Sequence, residues 1–331
     1  MIVVTGGTGL TGSHLILRLI KNKQSVRALI RPGSKPEKVL PVWGHYSSEA
    51  NDIFQQIDWY PVDMLNRASL AEALQGAKQV YHCAATVSFN PRRKHEIWNS
   101  NINLTRNIVN SCLEQPGIKL IHMSSVAAVG KPLGDDSADE SCCWPVRPGS
   151  VYAKTKTLSE LEVWRGINEG LDAVIVNPSV ILGPGTGKQG SSMIFNTIRQ
   201  GLQFYPSGTT GFVDVRDVAD IMIQLGNKQI TGERFILNAV NLSYKDFFTR
   251  VANQFHRKPP SRLVTPFMTS IAWKLEWLLT LFTGKEPRIT RFTSRTSQQK
   301  QEYSSEKLMK NLNFSFRDID DTIREVSDFY R

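Results

Sequence analysis

The chain has 331 residues, 40% apolar and 21% charged, the balance of an ordinary globular protein, and it shows no low-complexity tract and no internal repeat, so disorder and fibrous repeats are excluded. That length calls for two domains, or one large α/β domain with an appended lobe. Forty basic residues against thirty acidic ones give a net charge of +10, and no nucleic-acid recognition motif accompanies the excess; it reads as a solvated basic face, with attraction of anionic ligands as the alternative, not as a nucleic-acid surface.

In chain order, Ile2–Thr5 predicts a buried strand and Leu10–Lys23 a helix with Leu10, Leu15, Ile16, Leu19 and Ile20 at helical spacing. Further strands are expected at Ser25–Ile30, Ile57–Val62, Gln79–Cys83, Ile118–Ser124 and Ala173–Asn177. Helices are expected at Arg67–Gln75, Lys94–Glu114 and Tyr152–Glu169. This alternation predicts an α/β fold, a Rossmann-type doubly wound parallel sheet covered on both faces. Arg31–Gln56 reads as a surface excursion with a short helix. Strand, helix and strand return at Phe212–Val213, Val215–Gly226 and Arg234–Leu237, so residues 1–181 and 211–241 form the expected dinucleotide domain. Residues 182–210 and 242–331, rich in Gly, Pro, aromatic and basic residues, form a smaller discontinuous substrate lobe.

Between Arg257 and Lys300 nine basic residues face two acidic ones. The most membrane-like run, Pro266–Phe282, is 17 residues long and contains Lys274 and Glu276, whereas a span needs about 20 mostly apolar residues. It reads as an amphipathic helix over an apolar pocket, with a helix on a membrane surface as the alternative, and no transmembrane segment is expected. Neither a basic n-region nor a cleavable apolar segment precedes Ile2, which argues against a secretory signal. The four cysteines, Cys83, Cys112, Cys142 and Cys143, have neither zinc spacing nor the density of a disulfide scaffold. A reducing cytoplasm is expected, and no metal site.

Residues 5–12 read Thr-Gly-Gly-Thr-Gly-Leu-Thr-Gly, satisfying GxGxxG directly after a strand and opening a helix. That context makes it a dinucleotide-binding turn, in which glycines let backbone N–H groups approach a pyrophosphate at a helix N-terminus. The cofactor-binding candidates here are Gly6, Thr8, Gly9, Leu10, Thr11 and Gly12. About 20 residues on, where an acid would bind the ribose of NAD, the sequence has Arg31. A guanidinium grips a 2′-phosphate through paired hydrogen bonds, so NADP(H) is the expected cofactor. Tyr152-Ala-Lys-Thr-Lys156 is a YxxxK at the start of a helix, placing both side chains on one face. It follows Ser125, at the end of a strand, by 27 residues. An ammonium beside Tyr152 would lower the phenol's pKa toward neutrality.

Taken together, TGGTGLTG, the SerSerValAlaAlaValGly run at 124–130, YAKTK and NPSVILGPG resemble the extended short-chain dehydrogenase/reductases, most closely the dihydroflavonol-4-reductase and 3β-hydroxysteroid-dehydrogenase-like branch. The resemblance covers essentially the whole chain. It implies that Tyr152 is the general acid/base, that Lys156 binds the nicotinamide ribose and tunes Tyr152, and that Ser125 is the catalytic serine with Ser124 as its neighbour. It further implies that Asp63 and Met64 meet the adenine, that Cys83, Ala84 and Ala85 pass along the cofactor, and that Asn177, Pro178, Ser179 and Val180 lie beside the nicotinamide. Asn101 matches an Asn that shapes the site, though Leu104 replaces the usual Gly. Phe212–Asp217 resembles the late FVxVxD motif with Arg216 for the frequent Asp, and a structural role is expected for Asp214 and Asp217.

The expected activity is interconversion of a carbonyl and a secondary alcohol on a fairly apolar small molecule, with Phe195, Phe204, Phe267, Trp273 and Trp277 offering apolar surface. A nucleotide-sugar epimerase or dehydratase on the same fold is the enzymatic alternative, and an NADP-sensing regulator the non-enzymatic one. A homodimer paired through Lys94–Glu114 and Tyr152–Glu169 would fit the family.

Overall fold

The computed structural model describes residues 1–87, 93–132, 136–145, 149–185, 190–265 and 291–331, together with 267–269, 271, 273, 274 and 276. In chain order its strands are β1 (Ile2–Thr5), β2 (Val26–Ile30), β3 (Asp58–Pro61), β4 (Gln79–His82), β5 (Lys119–Met123), β6 (Asp172–Pro178), β7 (Val180–Leu182), β8 (Phe204–Tyr205), β9 (Thr209–Asp214), β10 (Glu233–Leu237), β11 (Val240–Ser243) and β12 (Arg262–Leu263). Seven of them form one sheet in the order β3-β2-β1-β4-β5-β6-β10, every pair parallel. Continuous apolar strands such as Ile2-Val-Val-Thr5, buried at every position, suit a parallel sheet with both faces covered. From β1 the chain winds outward to β3, then returns to β4 on the other side of β1. That reversal opens the crevice at the carboxyl ends of β1 and β4 where such sheets bind ligands.

One face packs against the helices Leu10–Lys21 and Val215–Asn227, the other against Arg67–Ala73, Leu104–Leu113 and Val151–Asn168. The element sequence thus follows the expected alternation, with one interruption: the span expected as a single helix from Lys94 is broken by a π-helical turn at Asn99–Asn103. The connection after β2 also differs from expectation. It folds as two helices, Leu40–Tyr46 and Ala50–Gln55, and contributes Val39, Val42, Trp43 and Ile53 to the core. Trp43 is fully buried, stacks on Trp59 at 6.3 Å and donates its indole N–H to the Ser13 carbonyl at 3.0 Å. The apolar side of this segment is short and irregular in sequence, so periodicity concealed a packed layer.

Outside the main sheet, β7 pairs with β9 in parallel and β9 with β11 antiparallel, while β8 and β12 form a two-stranded pair. A further core gathers Phe195, Phe212, Phe247, Val251, Ile319, Ile323 and Val326, with Phe212 stacked on Phe247 at 4.2 Å. Phe195 is absorbed into this core against Phe247 and Tyr330, so it presents no surface to a ligand. Asp214 caps the helix Val215–Asn227 through the Arg216 N–H at 2.7 Å, pairs with the Arg216 guanidinium and accepts the Thr322 hydroxyl at 2.8 Å. Asp217, fully buried, accepts the Arg317 N–H at 2.9 Å and pairs with its guanidinium. Both aspartates therefore fasten the C-terminal segment to the sheet, as the sequence suggested.

Part of the expected Pro266–Phe282 helix lies outside the described residues, Trp277 included. In the part described, Phe267, Met268 and Ile271 are exposed and Trp273 is half-buried. No helix among the described residues is long and apolar enough to cross a membrane.

Candidate active site

The turn after β1 is built by contact. Gly6 has φ +71°, which a side chain rarely tolerates, and a Cβ there would stand 2.8 Å from the Ala84 backbone. A Cβ on Gly12 would overlap the Gly6 carbonyl oxygen. The Gly9 N–H donates to that carbonyl at 2.9 Å and the Ser13 N–H to the Gly9 carbonyl at 3.0 Å, which starts the helix Leu10–Lys21 with Gly9 as N-cap. No side chain caps this end. Its first N–H groups therefore face the crevice, with Gly9 exposed and Thr8 and Leu10 half-buried, whereas Thr11 and Gly12 are buried. This is a cradle for an anion at the positive end of a helix.

The neighbouring strand end is locked by a relay of polar groups. The Thr105 hydroxyl donates to the Asn101 carbonyl at 2.6 Å, so it accepts from His82 Nε2 at 3.0 Å. His82 Nδ1 then accepts the Thr5 hydroxyl at 2.8 Å, and Thr5 Oγ1 in turn accepts the Ala84 N–H at 3.1 Å. The relay requires neutral His82, and burial drives its pKa down to about 3, with the Lys156 charge acting in the same direction. It joins β1, β4 and the loop 83–87 at the switch point. Cys83 is buried there, and burial pushes its thiol up to about 12. Ala84 and Ala85 are half-buried on the crevice side. Asn101, in the π turn, accepts the Thr86 N–H at 2.8 Å and donates to the Thr86 carbonyl and the Thr155 hydroxyl at 3.1 and 3.0 Å. It ties this loop to the helix Val151–Asn168.

Ser125 lies two residues past β5 and caps the short turn Val126–Ala128, its hydroxyl accepting the Ala127 N–H at 3.1 Å. The Ser125 hydroxyl is hydrogen-bonded to the Tyr152 phenol. Tyr152 lies in the first turn of the helix Val151–Asn168, capped by Ser150. One turn on, buried Lys156 donates to the Met123 carbonyl at 3.0 Å. The structure thus brings Ser125, Tyr152 and Lys156 together at the carboxyl edge of β5. Burial raises the Tyr152 pKa, opposed in part by the Ser125 bond. This differs from the expected lowering by Lys156, because burial is the larger effect on the phenol. Burial lowers Lys156 to about 8, opposed by Cys83 and Glu160.

Behind these groups is a cluster that the sequence did not reveal. Glu160 is fully buried, and its Oε2 accepts the Ser124 hydroxyl and the Asn177 amide, both at 2.8 Å. Its Oε1 accepts the Trp144 indole N–H at 3.1 Å and Arg234 Nη1 at 3.2 Å. Asn177 also donates to the Ser125 carbonyl at 3.0 Å, so its side chain serves this scaffold. Pro178, the last residue of β6, and Ser179 are buried, and Val180, the first residue of β7, is half-buried.

On the far side of the crevice, Arg31 stands exposed at the end of β2, and its charge reaches Glu96, which pairs with Arg93. Asp63 is exposed, accepting the Leu65 N–H at 3.0 Å, and Met64 is buried beside it.

The chain matches the NAD dependent epimerase/dehydratase family over residues 2–238. It belongs to that family. A putative dihydroflavonol 4-reductase of Synechocystis sp. (strain ATCC 27184 / PCC 6803 / Kazusa) is 31% identical over 320 residues, covering 93% of this chain and 88% of that protein. The sterol demethylase protein B of Methylococcus capsulatus is 30% identical, covering 71% of this chain and 68% of that protein. Among solved structures, gox2253 superposes with a TM-score of 0.80 at 28% identity, covering 100% of this chain and 98% of that one. The UDP-glucose 4-epimerase of Thermotoga maritima, at 16% identity and a TM-score of 0.77 over 100% of this chain and 98% of that one, shares the fold. This member of the epimerase/dehydratase family is therefore an extended short-chain dehydrogenase/reductase of the dihydroflavonol 4-reductase-like branch, an oxidoreductase class built around a nicotinamide cofactor. The turn in which Gly6 and Gly12 leave no room for a Cβ, and its uncapped helix N-terminus, suit the diphosphate of such a cofactor.

Proposed function

We propose that this chain is an NADP(H)-dependent reductase that interconverts a carbonyl and a secondary alcohol on a fairly apolar small molecule. The observation that carries the reading is the Ser125–Tyr152 hydrogen bond, with Lys156 one helical turn away, at the strand edge beside the glycine cradle. Gly6, Thr8, Gly9, Leu10, Thr11 and Gly12 would hold the diphosphate, Arg31 the 2′-phosphate, and Asp63 and Met64 the adenine side. Cys83, Ala84, Ala85 and Pro178–Val180 would line the remainder, and Asn177 would keep that wall in place. When bound, the cofactor supplies a hydride.

The protein's own part is proton chemistry and orientation. Ser125 orients the carbonyl oxygen by hydrogen bonding. Tyr152, kept protonated by its burial, donates the proton that completes the alcohol. Lys156 binds the ribose hydroxyls and supplies positive charge when the reaction runs toward the ketone and Tyr152 must lose its proton. The substrate would meet the lobe formed by residues 182–210 and 242–331, where half-buried Phe204 and Trp273 supply apolar surface.

The test is NADPH oxidation by the purified protein against ketones, aldehydes and nucleotide sugars, together with assay of any cofactor that co-purifies. Turnover of an apolar ketone with exchangeable NADPH supports the reading. Tightly held NAD with turnover of a nucleotide sugar instead would make the chain an epimerase, and neither activity would leave a dinucleotide sensor.

A further inference from the structure

We propose that Glu160 is the positioning residue of this site, a single buried carboxylate that sets where Ser125 sits relative to Tyr152 and Lys156. The inference rests on the reading of those three residues given above. It starts from an unusual placement: Glu160 has no exposed surface, and a carboxylate is rarely taken fully out of water unless paired and hydrogen-bonded.

All four partners of Glu160 belong to elements that converge on the site. Ser124 is the residue before Ser125. Asn177 bridges Glu160 to the Ser125 carbonyl, at 2.8 and 3.0 Å. Arg234 comes from β10, and Trp144 from the loop that leads back toward the helix. Glu160 itself lies one turn beyond Lys156 and two beyond Tyr152 on the helix Val151–Asn168. One side chain therefore fastens the ends of β5, β6 and β10 to the helix that carries the proton donor. Arg234 is held in turn by the Glu140 carbonyl at 2.8 Å and by the Cys142 carbonyl, and it lies over the Trp144 ring at 5.7 Å. Few groups in the cluster can move independently.

Glu160 has a second effect, through charge. Lys156 faces Cys83 and His82 at the end of β4, His122 on β5 and Glu160 on its own helix. Glu160 faces Arg234, and Glu140, whose carbonyl also holds Arg234, uses its carboxylate on the Ile236 N–H at 2.7 Å. Among these groups Cys83 and Glu160 favour the ammonium, while His82 and His122 are buried and held neutral, their pKa values driven down by burial. With Cys83 pushed up to about 12, its thiol is uncharged at neutral pH. Glu160 is then the carboxylate that favours the Lys156 ammonium against its burial.

The experiment compares wild type with Glu160→Gln and Glu160→Asp. It follows kcat and KM against pH, and it titrates the Lys156 amine by NMR in the protein without added cofactor, with Lys156→Arg assigning the signal. For Glu160→Gln the expected outcome is a loss of about ten- to a hundredfold in kcat, the scale of a small misplacement of reacting groups, with KM changed far less. The Lys156 titration should move to lower pH by roughly one unit, because a charge one helical turn away is only partly screened. Glu160→Asp should return that titration toward wild type without restoring all of kcat. Should Glu160→Gln fail to fold, the double variant Glu160→Gln, Arg234→Gln removes both charges of that ion pair together and is measured in its place. An unmoved Lys156 titration, or a loss of kcat equal at every pH, would overturn the proposal. Full turnover by Tyr152→Phe would instead remove the reading of the catalytic group, while the Lys156 titration would still decide whether Glu160 sets that ammonium.

Discussion

Replacing Tyr152 by Phe removes one oxygen and leaves the ring. The phenol is hydrogen-bonded to Ser125 and half-buried, and a bond of this kind contributes about 0.5–1.5 kcal/mol net. The Ser125 hydroxyl keeps its bond from the Ala127 N–H at 3.1 Å, so no buried group is stranded and the loss of stability should stay near the lower end of that range. Loss of a positioned proton donor is a larger effect, roughly 10²–10⁴-fold in turnover, or about 2.7–5.5 kcal/mol of barrier. The two effects differ enough to be measured apart. NADPH binding followed by fluorescence and thermal unfolding should be close to wild type, while NADPH consumption with a reactive ketone should collapse. The alkaline side of the pH profile gives a further check. Because the phenol is raised rather than lowered, wild-type reduction should not decline just above neutral pH through loss of the Tyr152 proton. Turnover by the variant within about threefold of wild type would refute the assignment.

Four other outcomes follow from the geometry. Arg31→Ala should weaken NADPH by about 10- to 150-fold, the worth of a charge-assisted hydrogen bond of roughly 1.5–3 kcal/mol, and leave NADH nearly unchanged. Arg31→Asp should invert the preference, and identical dissociation constants for NADPH in all three proteins at one salt concentration would make Arg31 a surface charge only. NADPH affinity in wild type should be full below about pH 8 and fade above it, since burial lowers Lys156 to about that value and the neutral amine loses its charge; in Lys156→Met the affinity should be lower and flat across that range. Gly12→Ala should abolish dinucleotide binding in calorimetry, because the added methyl overlaps the Gly6 carbonyl oxygen; binding within a few-fold of wild type would contradict the cradle. Trp43→Ala should cost about 3–5 kcal/mol in denaturant unfolding, as expected for an emptied aromatic site, and a cost below about 1 kcal/mol would show that the segment after β2 is not part of the core.

The parts of the site that were legible are those specified by short stretches of chain. The glycine turn is eight residues whose main requirements are local, a left-handed Gly6 and a bare Gly12 beneath the Gly6 carbonyl, with the Ala84 backbone against Gly6 as the one distant contact. The pairing of Tyr152 with Lys156 follows from helical spacing, and the doubly wound parallel sheet follows from strand–helix alternation. The late aspartates were legible as structural, since Asp214 is the cap of the helix that follows it. The segment Arg31–Gln56 was not, because Trp43 is buried by contacts with Ser13 and Trp59 that local periodicity does not encode.

Glu160 escaped for a more general reason. The face that the helix Val151–Asn168 turns inward is made of Thr155, Lys156, Ser159 and Glu160 as well as Ala153 and Val163. A search for apolar periodicity finds nothing there, since the buried stripe is polar. Its partners lie far off in sequence, 36 residues for Ser124 and 74 for Arg234, and no short pattern joins them. One clue was nevertheless present. If Lys156 points toward the sheet, the residue four positions later must share that face, and a glutamate there cannot be solvated. A buried carboxylate whose neighbour one turn back donates to a backbone carbonyl needs a partner of its own, and Arg234 is the cation that β10 supplies. Following charge rather than hydrophobicity along the helix leads from the YxxxK pair to the whole scaffold behind it.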